Sequence, residues 1–473
     1  MLFSSMTFLF VFMPLVMAVY FLSKKEIRNY VLLIASIIFY AWGEPRYLAI
    51  MIITILVNYA GAILLDKHYS SRQRLWIVSL TIVLDLSFLF YFKYFNFVVD
   101  NINGVLATDF QLLDIIMPIG ISFYTFQAMS YLIDVYRREV PAQKDVYKLA
   151  LYIVLFPQLV AGPIVKYHDV CEQIDNRTIE FKNVIIGFKR FITGLAKKVL
   201  IANTLAEVVD KIFAQAPENL TTGVSWLGAV AYCLQLYYDF SGYSDMAIGL
   251  GLMFGFRFLE NFNYPYISKS ITEFWRRWHI SLATWFKLYL YIPLGGNRRH
   301  QLLNISVVWL LTGLWHGASW NFVLWGAFYG ILLMVEKLGL LRWLQRIPVV
   351  FSHLYLLFVT LIGWTLFYTT DLSRLAGYFQ VMFGGSGNPL TDPQLSITFA
   401  NHLFWLLAAL LFCLPLTQWC KNRLESWVVQ DGRGQGRQAL VSIGTAMMNV
   451  ALLLVCTALL VGDSYNPFLY FRF

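Results

Sequence analysis

"QLLNISVVWLLTGLWHGASWNFVLWGAFYGILLMV", residues 301–335, contains no Asp, Glu, Lys or Arg. A helix crosses the hydrocarbon core of a bilayer in about 20 residues, so this run is too long for one straight crossing and predicts a bent or doubled membrane segment. Its centre, "TGLWHGASWN" (312–321), carries His316 between Gly313 and Gly317. An imidazole at such depth is tolerated when it is neutral and has hydrogen-bond partners. Two readings stand side by side: a core histidine bonded to a neighbouring helix, or a site on a reaction or transport route. The two glycines, which permit close backbone approach or a local break, favour the site.

The rest of the chain has the same character. Of its 473 residues 59% are hydrophobic and 13% charged, where about 25% charged is usual for soluble domains. Apolar stretches recur along the whole length, and roughly ten to twelve membrane-embedded segments are expected. The net charge of +9 is informative through its placement. Lys24, Lys25 and Arg28 follow the first apolar stretch; Lys67, Arg72 and Arg74 follow the third; Asp100, Asp109 and Asp114 mark an acidic connection, and Arg137, Arg138, Lys144 and Lys148 a basic one. Basic loops gather in the cytoplasm, so the N-terminus is expected outside. This pattern points to membrane orientation and to no nucleic-acid partner.

Five spans are predicted near 1–22, 28–42, 47–65, 75–95 and 115–136. The next apolar run, "LYIVLFPQLVAGPIVKYHD" (151–169), is interrupted by Pro157, Gly162 and Pro163. Lipid cannot satisfy the backbone groups such breaks release, so the run is expected to be a re-entrant element buried in protein. Residues 183–209 read as a basic amphipathic helix at the cytoplasmic interface, leading toward a span. Residues 226–256 are long and apolar yet include Asp239 and Asp245, carboxylates that at such depth face a protein interior or a water-filled cavity. The stretch "ITEFWRRWHISLATWFKLYLYIPLGGNRR" (271–299) is too charged for a lipid-facing span and is placed at the cytoplasmic face, dipping into the membrane. Further spans are expected near 351–369, 402–418 and 438–461, with plain connections at 371–401 and 421–438. The whole reads as one integral-membrane domain: N-terminal spans 1–136, a core 137–335 with re-entrant and amphipathic segments, and C-terminal spans 336–473. Cys171, Cys233, Cys413, Cys420 and Cys456 show no CxxC spacing, so neither a disulfide framework nor a metal site is indicated.

His279, in "RRWHIS", is explained on its own by an interfacial position. Together with His316, Trp275 and the cations around it, it also suits acyl transfer from a thioester to a hydroxyl, which needs a base for the hydroxyl proton. Arg276, Arg277, Lys287, Arg298 and Arg299 could hold the phosphates of coenzyme A; positive-inside anchoring explains any one of them equally well.

Seven blocks carry a resemblance: "MPIGISFYTFQAMSYLIDVYRR", "FPQLVAGPIVKYHD", "YYDFSGYSDMAIGLGLMFGF", "ENFNYPYISKSITEFWRRWHISLATWF", "YIPLGGNRR", "GLWHGASWNFVLWG" and "YNPFLYFRF". In that order, from Met117 to the C-terminus, they resemble the membrane-bound O-acyltransferase family, in the bacterial branch that includes the membrane subunit of alginate O-acetylation. The resemblance implies a ring of helices around a thin centre with a catalytic tunnel, acetyl-CoA as cytoplasmic donor and no metal. It implies His316 as the essential histidine and His279 as the second signature residue of the same cavity. It also implies a bacterial inner-membrane location, an extracytoplasmic SGNH-hydrolase-like partner, and an exported polysaccharide with its synthase as the wider assembly. The chain departs from the family pattern in one place: after "WF", where Arg-Asp is usual, it has Lys287-Leu288. Asp239, Asp245, Trp315 and Asn321 are added as candidate tunnel-lining residues. The competing expectation is a transporter or flippase whose path uses His316, Asp239 and Asp245.

Overall fold

Every element follows from the need to satisfy backbone groups without water, which helices do internally. The computed structural model describes residues 1–67, 70–160, 162–429 and 434–462, and among them it contains helices and no strand. The resembling block at 465–473, Ala161 of the re-entrant run, and His68 lie outside the described residues.

A wide turn at Phe8–Phe12 leads into α1 (Met13–Leu22), followed by α2 (Arg28–Gly43) and α3 (Leu48–Asp66). Next, α4 (Ser71–Leu89), a π-turn (Phe90–Tyr94) and α5 (Phe95–Leu106) form one continuous helical span. Ser70 and Gln73 close a capping box at its start, which satisfies two of the first free amides. The fifth span begins later than expected. Residues 108–118 are not helical, and α6 (Ile121–Arg137) starts at Gly120, whose positive φ of 75° turns the chain into the helix.

The interrupted run is broken as its prolines and glycine require. Helix α7 (Val146–Val154) ends at Leu155, a single turn α8 (Phe156–Leu159) follows, and α9 (Tyr167–Asn176) resumes beyond. Residues 151–160 are buried throughout, as a re-entrant element should be. The expected interfacial helix is longer than its sequence suggested: α10 (Phe181–Ala196), a π-turn (Lys197–Ala202) and α11 (Asn203–Phe213) run on without a break and pack along α12 (Thr222–Met253). Two glycine pairs set that approach. A Cβ added at Gly187 would stand 2.5 Å from the Gly249 carbonyl, and one at Gly194 2.5 Å from that of Gly242. Small residues at such crossings let helices meet backbone to backbone.

The charged stretch folds into two short helices, α13 (Ile271–Phe274) and α14 (Ile280–Phe286), with a π-turn at Lys287–Tyr291. The opening run is doubled: α15 (Gln301–His316) and α16 (Trp320–Val335) form a hairpin hinged on residues 317–319. The chain closes with α17 (Leu341–Leu344), α18 (Val349–Tyr368), α19 (Leu372–Met382), α20 (Pro393–Phe412), α21 (Leu416–Val429) and α22 (Gly434–Gly462). Two expected plain connections therefore contain helix among the described residues. In the first, Asp371 accepts from the amides of Ser373 and Arg374 and starts α19, an N-cap hidden inside a polar stretch. The second contains most of α21, whose amphipathic composition hid it.

By length and apolarity six described helices can cross a membrane, with Phe8–Leu22 a shorter apolar one. Buried side chains form two clusters. One gathers α1 to α4, α6 to α9, parts of α10 and α12, α14 and Trp315; the other gathers α11, the rest of α12, α13, Phe322, Trp325, Trp364 and Phe367. His316 lies on the seam between them.

Candidate active site

His316 is the last residue of α15, and the glycines beside it are sterically required. A Cβ on Gly313 would stand 2.2 Å from the Phe322 carbonyl oxygen, and one on Gly317 2.2 Å from the Phe322 ring. The α15–α16 hairpin thus closes directly behind the histidine. Ending a helix inside a membrane leaves four carbonyls without helical partners. All four are satisfied: Gly313 accepts from the Gly317 amide (3.4 Å), Leu314 from the Tyr94 hydroxyl (2.8 Å), Trp315 from Lys93 Nζ (2.5 Å) and His316 from Lys93 Nζ (3.3 Å). The ring of His316 makes edge contacts with Trp315, Trp325 and Phe367 at 5.0–5.1 Å. Neither of its nitrogens is hydrogen bonded to a described residue.

A cavity of about 260 Å³ opens on this ring, lined by Glu44, Lys93, Ser122, Trp315, His316 and residues of the 117–123 segment. Glu44 lies in the connection between α2 and α3 and accepts from the Ile119 amide at 2.8 Å, tying that segment to the cavity wall. Burial pushes the Glu44 carboxyl above the usual glutamate range, so it takes up a proton more readily than an exposed glutamate would.

His279 also lies beside Trp315, its ring 6.1 Å from the indole that the His316 ring contacts. It is 2% exposed, so the interfacial reading of this residue gives way to an interior one. Its backbone is left-handed (φ 45°), a strained conformation held by its surroundings. The centre of those surroundings is Asn261, fully buried. Asn261 Oδ1 accepts from the Ser281 amide (3.2 Å) and hydroxyl (2.9 Å) and lies 3.1 Å from His279 Nδ1, while its Nδ2 donates to Ser244 Oγ (3.0 Å). Because the Ser281 amide can only donate, that oxygen is an acceptor and His279 Nδ1 must carry the proton. Nε2 is then the basic nitrogen. The short helix ahead of it is anchored by Glu336, 1% exposed, whose oxygens accept from the amides of Ile271 (2.7 Å) and Thr272 (2.8 Å), a carboxylate at a helix N-terminus.

The other singled-out residues divide by position. Trp315 lines the cavity; Trp275 packs against Trp309, Trp325, Tyr329 and Trp364 in the aromatic cluster behind His316. The indole N–H groups of Trp275, Trp315, Trp325 and Trp364 are buried without hydrogen-bond partners among the described residues. Asn321, fully buried, donates to the Phe367 carbonyl at 3.3 Å. Arg276, Lys287, Arg298 and Arg299 are exposed and make no ion pair with a described residue, whereas Arg277 is engaged by Glu273 at 2.9 Å. At the departure from the family pattern, Leu288 offers its carbonyl to Arg137 at 3.1 Å. Asp239 and Asp245 are not among the residues lining the His316 cavity. Asp239 pairs with Lys198 at 2.6 Å, both side chains 3% exposed, and Asp245 pairs with Arg190 (2.9 Å) and Lys197 (2.6 Å). They join α12 to the helical run beside it.

Sequence reasoning missed Lys93, Asn261 and Glu336. A lysine within an apolar span was a legible signal for the first. The others are ordinary polar residues whose importance lies in contacts distant along the chain.

A helical hairpin, an imidazole ending a helix beside a cavity, and a second buried histidine near the same indole make this the candidate site of a membrane-embedded protein. The membrane-bound O-acyltransferase family profile matches residues 37–375, and the chain belongs to that family. Among similar proteins, the probable alginate O-acetylase AlgI of Pseudomonas putida is 44% identical over the full length of both chains, and that of Azotobacter vinelandii 40% identical over the full length of both. The peptidoglycan O-acetyltransferase of Helicobacter pylori is 36% identical over 71% of this chain and 70% of its own. The protein is therefore a multi-pass membrane O-acyltransferase, and the transporter reading loses ground with its two aspartates neutralised in ion pairs.

Proposed function

We propose that the protein moves an acetyl group from cytoplasmic acetyl-CoA to a hydroxyl presented from the far side of the bacterial inner membrane, with His316 as general base. The acceptor belongs to the O-acetylation of an exported polysaccharide. Alginate is favoured by the names of the Pseudomonas putida and Azotobacter vinelandii relatives, and peptidoglycan by that of the Helicobacter pylori one. An SGNH-hydrolase-like partner and the polymer's synthase complete delivery.

The observation that carries this reading is His316, partly buried and lining the cavity, with ring nitrogens that no described residue occupies. With the N-terminus outside, the Glu44 connection faces outward, and the cavity becomes the acceptor's way in. The donor arrives from the opposite side. Arg276, Lys287, Arg298 and Arg299 meet its phosphates, and the unpartnered indole N–H groups, Trp275 included, supply donors for the carbonyl oxygens of its arm. The hydroxyl oxygen attacks the thioester carbon, the carbon–sulfur bond breaks, and the proton taken by His316 passes to the departing thiolate. His279, held by Asn261 through Nδ1, supports the same region through the Trp315 indole that both histidine rings contact. We read residues 1–473 as one catalytic domain, with the core in 137–335.

The test is His316→Ala in membranes of cells that make the polymer, reading acetyl ester on the polymer, free coenzyme A thiol, and protein level. Loss of both products at normal protein level is expected. Normal esterification by a well-inserted variant removes the assignment.

A further inference from the structure

Lys93 is the one lysine in the membrane span formed by α4, its π-turn and α5. No carboxylate of a described residue lies within ion-pair distance of it. A charge held at depth without a counter-ion is costly, and an apolar side chain could fill the same volume, so its presence calls for a task that needs the ammonium. Its surroundings name one. Nζ donates to the carbonyls of Trp315 (2.5 Å) and His316 (3.3 Å) and lies 3.4 Å from Ser122 Oγ, with the Trp315 ring 5.9 Å away. The negative end of α15 is thus the counter-charge.

The π-turn contributes to this. Its wider turn brings two successive residues, Lys93 and Tyr94, onto one helix end, where they take the last three carbonyls of α15 between them. Such turns recur at functional sites for this reason. The proton count then decides between two roles. An ammonium has three protons, and three oxygens already surround this one, so none is left over for a reacting oxygen. Lys93 acts on the helix end and not on the substrate.

We propose that Lys93 is a positioning residue for acyl transfer: through the carbonyl end of α15 it fixes the direction in which the His316 ring meets the cavity. This rests on the reading of His316 as the base. A residue in this role changes kcat and leaves donor binding alone, because the basic cluster at Arg276–Arg299 is built from other elements.

The experiment compares Lys93→Ala with the unaltered protein in membrane vesicles supplied with acetyl-CoA, reading thiol release and polymer ester. A kcat about 100-fold lower, with KM for acetyl-CoA changed by no more than about twofold, is expected from a misaligned catalytic group. Added ethylammonium, which can occupy the vacated ammonium position from the cavity, restores part of the rate, and ethanol at the same concentration does not. An undiminished kcat, a loss confined to KM, or equal rescue by ethanol overturns the proposal. Should Lys93→Ala fail to accumulate, Tyr94→Phe serves in its place: it strips one partner from the same helix end, and an unchanged kcat there overturns the clamp. His316→Ala in parallel separates the two ideas. If that variant stays active the base assignment falls, whereas an inactive His316→Ala beside a fully active Lys93→Ala sinks the positioning role alone.

Discussion

The two histidines that contact Trp315 are held in opposite ways. His279 is fixed through its ring: Asn261 takes its Nδ1 proton, Ser281 and Ser244 hold Asn261, and Glu336 anchors the short helix ahead of it. His316 is fixed through its backbone, by a clamp on the end of α15, while its ring sits among aromatic edges with both nitrogens uncommitted. The first arrangement specifies one tautomer. The second leaves both ring nitrogens open to a reactant, as the proposed role of His316 as a base between two reagents requires. The geometry therefore assigns unequal work to residues that look alike in sequence.

Substitutions break or sharpen that contrast. The largest effect belongs to His316→Ala, expected to cost about 10²- to 10⁴-fold in ester formation, the range of a lost general base. Next comes Asn261→Ala, which leaves the His279 ring without its acceptor; turnover about tenfold lower is expected, the kinetic equivalent of one buried hydrogen bond. If Asn261→Ala costs as much as His316→Ala, the division of labour is wrong. Glu336→Gln keeps shape but gives up the charge facing two amides, and a loss of about 1 kcal/mol in thermal stability of the detergent-solubilised protein is expected, with a smaller change in rate. The smallest effect is expected from the pair Arg298→Ala and Arg299→Ala: KM for acetyl-CoA higher by roughly two- to fivefold at low salt, converging with the parent as ionic strength rises, and kcat unchanged.

Much of this was legible in the sequence because the membrane makes patterns literal. The charge-free run at 301–335 announced a bent or doubled segment, its glycines a close approach or local break, and Pro157, Gly162 and Pro163 a broken element, since each has a direct backbone consequence in a solvent without water. The helices α19 and α21 were not legible, because their polar surfaces resemble loop composition and their boundaries depend on caps such as Asp371. The partners of Asp239 and Asp245 were not legible either. Burial of a carboxylate can be read from hydropathy, but whether it meets a cation or a cavity depends on which helix lies beside it. Lys93 stood in plain view as a lysine in an apolar span; what it grips lies more than 200 residues further along the chain.

The Lys198–Asp239 pair has a consequence for how the chain is made. Either side chain alone at the middle of a lipid bilayer costs about 2.5–3.5 kcal/mol on insertion scales, and here both are almost fully enclosed. Neither α12 nor the run from α10 to α11 is among the described helices long and apolar enough to cross a membrane by themselves, so the two charges favour entry of these helices together, already neutralised. A neutral residue at 198 or 239 alone should therefore strand its counterpart's charge and lower the amount of correctly inserted protein.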